Sequence, residues 1–376
     1  MADDFLVRVV DADLVEVGEV APTALIARLR WRETGTWTMD VVATDRMLPV
    51  LAEPGSGIVV YPPGGGEPLF GGPRTQLRLR EATVLSVEVQ GVTDGVWLDD
   101  RIASPDPALD PPWTAEERVL SGPADEVMRQ VVDENLGGSA LPSRQIVTVD
   151  PTVVPGLPSV QWTATGQPVS DILEGVGEAA GVGWTVDRTR TGGRVFRVVP
   201  VDDVSDTAVF SASLGTVEAV TLDDRRPTVT ASVVSGAVGP YDTIRPTVLR
   251  QDVTLAGQWG RIERFRDHRQ SSDPVELDGV GDAALEDQQP LRGIEIDPVE
   301  GASLLRFPAA YRVGSRVTVR VSGETVVDTV REVELRLTAG EAPRVVPSLQ
   351  RMRSPQGAAL RQTARRLTSI ETIARG

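Results

Sequence analysis

Alternation of side-chain character with a period of two is the feature that most restricts what this chain can become. In "TALIARLRW", Leu25, Ala27, Leu29 and Trp31 fall on one side, while Ile26, Arg28, Arg30 and Arg32 fall on the other. Successive side chains of a strand point to opposite faces, so the pattern specifies a half-buried strand and does not fit a helix. "ETG" turns the chain, and "TWTMDVVA" repeats the alternation through Trp37, Met39 and Val41. Two such runs about a glycine turn predict a hairpin. "GIVVY", the turn "PPGGGEP" and "LFGG" predict another, and "QLRLREATVLSVEVQG" predicts two more strands. Between them, "TDRMLPVLAEPGSG" reads as a short helical turn. Many short strands joined by Gly and Pro turns point to a barrel or sandwich.

The pattern changes at the Pro-rich linker "SPDPALDPPWT" (104–114). "SGPADEVMRQVVDENLGG" then predicts a helix, with Ser121 as cap, Pro123 in the first turn, and Val127, Val131 and Leu136 near one face. "QPVSDILEGVGEAAGVG" predicts a second, with Val169, Ile172, Leu173 and Val176 on one stripe. "VGWTVDRTRTGGRVFRVVP" reads as a hairpin turning at Thr191-Gly192-Gly193. From about residue 203 the alternation returns. Val317, Val319 and Val321 share a face, Gly323 turns the chain, and Val326, Val327 and Val330 begin a return strand that continues through Val333, Leu335 and Leu337. Asp282–Gln289 reads as a short helix.

The fold expected is therefore mainly β with an α+β insert. Residues 1–104 form a first β barrel, completed by return strands at about 203–234. Residues 105–202 form the small α+β domain, and 235–350 a second β barrel. A basic helical tail covers 351–376, with Leu360, Ala364 and Leu367 on one face and Arg361, Arg365 and Arg366 on the other. This tail either folds back on its own barrel or docks on a neighbouring subunit. Trp31, Trp37 and Trp184 fall on alternating apolar faces and are expected in the core.

Composition removes several function classes. Net charge is −16 over 376 residues, the opposite of what a general phosphate-gripping protein needs. Cysteine is absent and His268 is the one histidine, which excludes disulfides, thiolate metal sites and multi-histidine metal sites. A carboxylate-only Mg or Ca site stays open, with no D-x-D-x-D-G loop to support it. No apolar run approaches the roughly 20 residues that cross a bilayer. A Ser-His-Asp triad would need His268 as base, and no G-x-S-x-G elbow accompanies it. Carboxylate pairs lack the aromatic platforms of a sugar site, since aromatic content is 4%. The Gly-rich turns do not lead into a helix with a lysine, as a phosphate cradle requires. The expectation is a non-enzyme without a cofactor. All 38 basic residues are arginine, which suits fixed ion pairs at interfaces and also fits a GC-rich genome.

One stretch concentrates charge. "WGRIERFRDHRQ" (259–270) interleaves Arg261, Arg264, Arg266 and Arg269 with Glu263 and Asp267. It reads as a paired-charge strand at the start of the second barrel, with Phe265 as a buried anchor and His268 as a bystander.

Two motifs and the order of parts carry a resemblance. "GRIERFRDHR" (260–269) fits a GR-x-E-x-F-x-D-x-R segment, and "YRVGSRVTV", from Tyr311, fits Y-x-x-G-D-x-V-x-V with Ser315 where aspartate is usual. With a β domain, an α+β insert and a second β domain over roughly 5–350, the chain resembles the tail hub (tail-associated or baseplate hub) proteins of long-tailed phages, in particular minor tail proteins of phages infecting actinobacteria. The resemblance implies a homotrimer at the tail tip of the virion, assembled in the host cytoplasm. Two barrels per chain would form a pseudo-sixfold ring that adapts the sixfold tail tube to threefold tip components around the DNA channel. It implies contacts with distal tail and tube proteins, the tape measure protein and tail fibres or receptor-binding proteins. It implies no sequence-specific nucleic-acid binding and no stable membrane insertion. Arg261, Glu263, Phe265, Asp267, Arg269, Arg361, Arg365 and Arg366 are then the expected structural or interface residues. A tail-tip cell-wall hydrolase, a receptor-binding protein and the hub of a contractile injection machine are the alternatives.

Overall fold

The computed structural model describes residues 5–349 apart from 43–44, 81–85, 111–112, 225, 239–243, 270–271, 273, 287–291, 300–304 and 322. The chain opens with β1 (Leu6–Val10), β2 (Glu16–Glu19), β3 (Ala24–Arg30), β4 (Thr36–Val42), α1 (Leu48–Ala52), β5 (Gly57–Tyr61), β6 (Phe70–Arg80), β7 (Ser86–Val92) and α2 (Val96–Asp99). There follow β8 (Arg118–Pro123), α3 (Ala124–Leu136), β9 (Thr148–Val149), β10 (Ser159–Ala164), α4 (Val169–Ala180), β11 (Val182–Arg188) and β12 (Arg194–Pro200). The remainder is β13 (Asp202–Asp203), β14 (Val209–Ser211), β15 (Val217–Asp224), β16 (Ala231–Ser235), β17 (Thr247–Gln251), α5 (Val253–Trp259), β18 (Glu263–Asp267), α6 (Pro274–Glu286), β19 (Arg292–Pro298), β20 (Ser315–Val321), β21 (Glu324–Thr329), β22 (Glu332–Thr338) and β23 (Arg344–Ser348). The fold is mainly β with α+β elements inserted, as the alternation predicts.

Two compact units divide the described residues. One takes the chain up to Val220 together with Ile296–Leu349, and the other takes Thr221–Glu295. These units do not follow the expected limits, because segment 296–349 joins the unit that starts the chain.

The reason lies in one strand pair. The large sheet of the first unit runs β2-β1-β5-β6-β7-β4-β3-β22-β23, extended by β19 and β15, the strands that lead back from and out to the second unit. β22 lies antiparallel to β3 with Glu332 opposite Arg30 and Glu334 opposite Arg28. Arg30 Nε donates to Glu332 and Arg28 Nε to Glu334, both at 2.7 Å, across 302 and 306 residues of chain. On the other face Leu25, Ala27 and Leu29 meet Val333 and Leu335 in the core. Opposed charges in register on one face and apolar side chains on the other fix both partner and register, since a slip would break both sets. The expected return strand is thus corrected: β21 ends at Thr329, and Glu332–Thr338 changes sheet instead of continuing β21.

"LFGGP" is also more than a hairpin end. β6 is one strand with two partners: Phe70–Pro73 pairs β5, and Arg74–Arg80 pairs β7. The bend brings backbones together so closely that a Cβ on Gly72 would lie 1.9 Å from the Val92 carbonyl oxygen. Only glycine fits there.

The α+β part keeps its own core. Val127, Val131 and Leu136 of α3 and Val169, Ile172, Leu173 and Val176 of α4 are buried with Trp184 and Phe196. Gly181, at φ 70°, ends α4 in the left-handed region. Ser121 does not cap α3. It lies in β8 opposite Gln161, and Pro123 precedes the helix without a side-chain cap, because β8 runs straight into it.

A buried charge cluster pins these elements to the large sheet. Asp94, after β7, is fully buried and accepts from Arg188 Nε (2.9 Å), Arg188 Nη2 (3.0 Å) and Arg194 Nε (2.8 Å) of the β11–β12 hairpin. Arg194 also stacks over Trp97, 4.6 Å from its ring centre. Nearby, Arg32 donates to the Val182 carbonyl at 2.6 Å.

In "YRVGSRV", Tyr311 is buried edge-on against Phe210, 5.3 Å between centroids, and burial pushes its hydroxyl pKa up. Ser315 Oγ accepts the Arg312 N–H at 2.9 Å, a turn-closing role that a carboxylate can also fill.

The second unit is a small three-stranded sheet, β17-β16-β18, with α6 against β16 and β17. α6 begins at Pro274, earlier than the helix expected at 282–289, and positions 287–289 lie outside the described residues.

Removing a carboxylate that two buried arginines share leaves uncompensated charge. Asp94→Ala is expected to cost about 3–5 kcal/mol, read as a lowered denaturant midpoint, while Asp40→Ala on the half-buried side of β4 changes it far less. Asp150 supplies a pH test. Hydrogen bonds from the Thr152 side chain and backbone, then from Arg197, hold its carboxyl down to about 2. A carboxyl depressed in the folded state contributes stability above its ordinary value, about 3.9, and loses that contribution as pH falls toward about 2. Asp150→Asn is therefore expected to flatten the fall in stability between about pH 4 and 2, measured by chemical unfolding at stepped pH.

Candidate functional site

The charge-dense stretch folds as the end of a helix, a break and an edge strand. α5 is capped by the Asp252 carboxylate, which accepts the Leu255 N–H at 2.9 Å. Gly260, at φ 83°, lets the chain leave the helix. Thr230 then ties down the entry to β18: its hydroxyl donates to the Gly260 carbonyl at 3.0 Å and accepts the Ile262 N–H at 2.8 Å. β18 runs parallel to β16, with Phe265 opposite Val233, and lies at the edge of the sheet.

Charge pairs form within and next to the stretch. Arg261 Nε bonds Glu263 at 2.7 Å, Arg269 Nε bonds Asp267 at 2.8 Å, and Arg245 also holds Asp267. Hydrogen bonds from Arg245 and Arg269 outweigh the small cost of desolvation and keep the Asp267 carboxyl below its ordinary value. His268 donates its backbone N–H to the Ser235 carbonyl at 2.8 Å.

Phe265 is not buried. It is 64% exposed, and every residue of β18 is exposed. The physical reason is position: β18 is the edge strand of a thin three-stranded sheet, whereas the expectation placed it inside a closed barrel. Arg361, Arg365 and Arg366 lie outside the described residues. The structure thus brings Arg261, Glu263, Phe265, Asp267 and Arg269 onto one exposed strand.

Sequence reasoning missed Arg245, which comes from a different segment and shares Asp267 with Arg269. No spacing rule links it to that strand. Leu249 and Val233 were likewise missed; the register Leu249–Val233–Phe265 places them in one row across all three strands.

The first unit holds an open groove of about 1080 Å³ lined by residues of β1, β2 and the 337–343 turn. In it the Tyr61 hydroxyl bonds Glu16, and burial, then that bond, push its pKa up to about 12. Among the described residues no group of three or more His, Cys, Asp or Glu is placed to hold a metal ion. Tyr61, Glu16 and Arg8 form a closed set of bonds rather than a nucleophile with its base.

Residues 6–349 match the family described as Siphovirus ReqiPepy6 Gp37-like protein. The chain belongs to that family. Its fold is similar to that of the 43 kDa tail protein of prophage MuSo2 from Shewanella oneidensis, with a TM-score of 0.57, 12% identity, and 92% of this chain and 97% of that one covered. It is also similar to the tail protein from Neisseria meningitidis MC58, with a TM-score of 0.53, 13% identity, and 93% and 97% covered. No curated protein matches the chain. The chain thus belongs to a siphovirus family and shares the fold of these two tail proteins across nearly its whole length.

Exposed ion pairs contribute little to folding. Arg261→Ala and Phe265→Ser are each expected to move the unfolding free energy by no more than about 0.5 kcal/mol, checked by urea melts; a loss of several kcal/mol would return Phe265 to a core role.

Proposed function

We propose that this chain is a structural hub of the tail tip in a long-tailed phage, without catalytic activity. Three copies form a ring in which two β bodies per chain give pseudo-sixfold symmetry. The ring adapts the sixfold tube to threefold tip components and surrounds the DNA channel. Its neighbours are distal tail and tube proteins, the tape measure protein, and fibres or receptor-binding proteins. The observation that carries this reading is a tail-protein fold running through 92% of the chain, in a member of a siphovirus family. Two further properties support it. An acidic protein does not hold passing DNA, because like charges repel. Arginine-only basic residues suit fixed pairs at subunit interfaces.

Reconstruction of the particle that carries the chain tests this. The expected density is a threefold ring at the tail tip with carboxylates concentrated on its inner wall. Density along the tube or in the head, or a basic inner wall, would overturn the reading. Native mass spectrometry of the purified protein is expected to show three times the 40.3 kDa chain.

A further inference from the structure

The parts of the first unit differ in how much chain they need before they can close. The α+β core draws its buried side chains from Leu98 to Phe196, one continuous stretch of sequence. Strands β1 to β7 likewise come from residues 6–92. Their sheet, however, is finished from far away. β3 pairs β4 on one side and β22 on the other, and β22 begins only at Glu332. Before that strand exists, β3 is an open edge over Ala24–Arg30. Leu25, Ala27 and Leu29 then lack Val333 and Leu335 beside them, and Arg28 and Arg30 lack their carboxylates. The Trp31 N–H lacks the Arg331 carbonyl that it bonds at 2.8 Å. An open edge of this kind is a template for wrong pairing.

Contacts between residues far apart in the chain carry a larger loop-closure entropy and form later than local ones. Arg30 and Glu332 are 302 residues apart. At roughly 5–20 residues per second, synthesis of that span takes on the order of 15–60 s. The hairpin of β22 and β23 has a second place in the topology. In the order β15-β19-β23-β22-β3, strands β15 and β19 reach β3 only through it. One element therefore closes the early edge and ties in the late strands.

We propose that the β22–β23 hairpin is a completion latch. The sheet of β1 to β7 keeps β3 as an open edge until the hairpin arrives, and copies of the chain join one another only after the latch has closed. The gating of assembly rests on the hub reading; the order of closure does not.

Refolding of the full chain from denaturant, followed by pulsed hydrogen exchange, tests the order. Amides of α3 and α4 are expected to gain protection in an earlier phase than those of β3 and β22. Native mass spectrometry of the same time points is expected to show trimer only after the β3 amides are protected. Charge reversal tests the gate. Arg30→Glu and Glu332→Arg, each alone, are expected to speed exchange in β3 and β22 by roughly tenfold or more while α3 and α4 stay protected, and to abolish association. Combining the two is expected to restore both. Protection of β3 together with or before α3, trimer formed while the β3 amides still exchange, or no recovery in the combined variant would overturn the proposal. If the wild-type chain folds in the expected order and never associates, the hub reading falls and takes the gate with it. If it associates without that order, only the latch falls.

Discussion

The pairing of β3 with β22 is the constraint on which the rest of the first unit depends. It joins strands 302 residues apart through Arg30–Glu332 and Arg28–Glu334. Each carboxylate is largely buried, at 5% and 8% exposure, so neither tolerates loss of its arginine. For Glu334, burial opposes the charge, yet hydrogen bonds from Arg28 and Arg336 outweigh it and hold the carboxyl below its ordinary value. Between these two strands the chain stays in the sheet through β4 to β7, leaves it, and must return for this seam to form. That makes the α+β segment and the second unit excursions from one sheet, and not beads on a string.

An excursion needs an anchor, and the Asp94 cluster supplies it. One buried carboxylate takes three hydrogen bonds from two arginines on a hairpin that lies about a hundred residues further along. Such a network is costly to leave half satisfied, which makes it specific about what it accepts. Trp31 adds packing at the same joint: a Cβ on Gly183 or Gly314 would come within 2.4 or 2.1 Å of its ring.

The second unit obeys different physics. Among the described residues its buried apolar side chains include Val229, Ala231, Val234, Leu277, Ala284 and Ile294, while Phe265, Leu249 and Val253 stay exposed. A module this small cannot enclose all its apolar surface alone. Its exposed strand is held by the parallel pairing of β18 with β16 and by the Thr230 bridge. That arrangement suits a member of a siphovirus family whose fold is that of tail proteins.

The sequence by itself determined which faces are apolar. The alternation in β3, β4, β20 and β22, the stripes of α3 and α4, and the core places of Trp31, Trp37 and Trp184 were legible because burial imposes a period of two or 3.6 on neighbours in the chain. That the arginines of 261–269 have carboxylates close by was legible from their interleaving in the sequence. Only the tertiary structure decided which strands pair, because Arg-x-Arg in β3 and Glu-x-Glu in β22 state a charge and not an address. It also decided that Asp94 meets Arg188 and Arg194, that Arg245 reaches Asp267, and that Phe265 faces outward. Local periodicity reports that a residue has an apolar side; whether anything covers that side depends on elements far away in the chain.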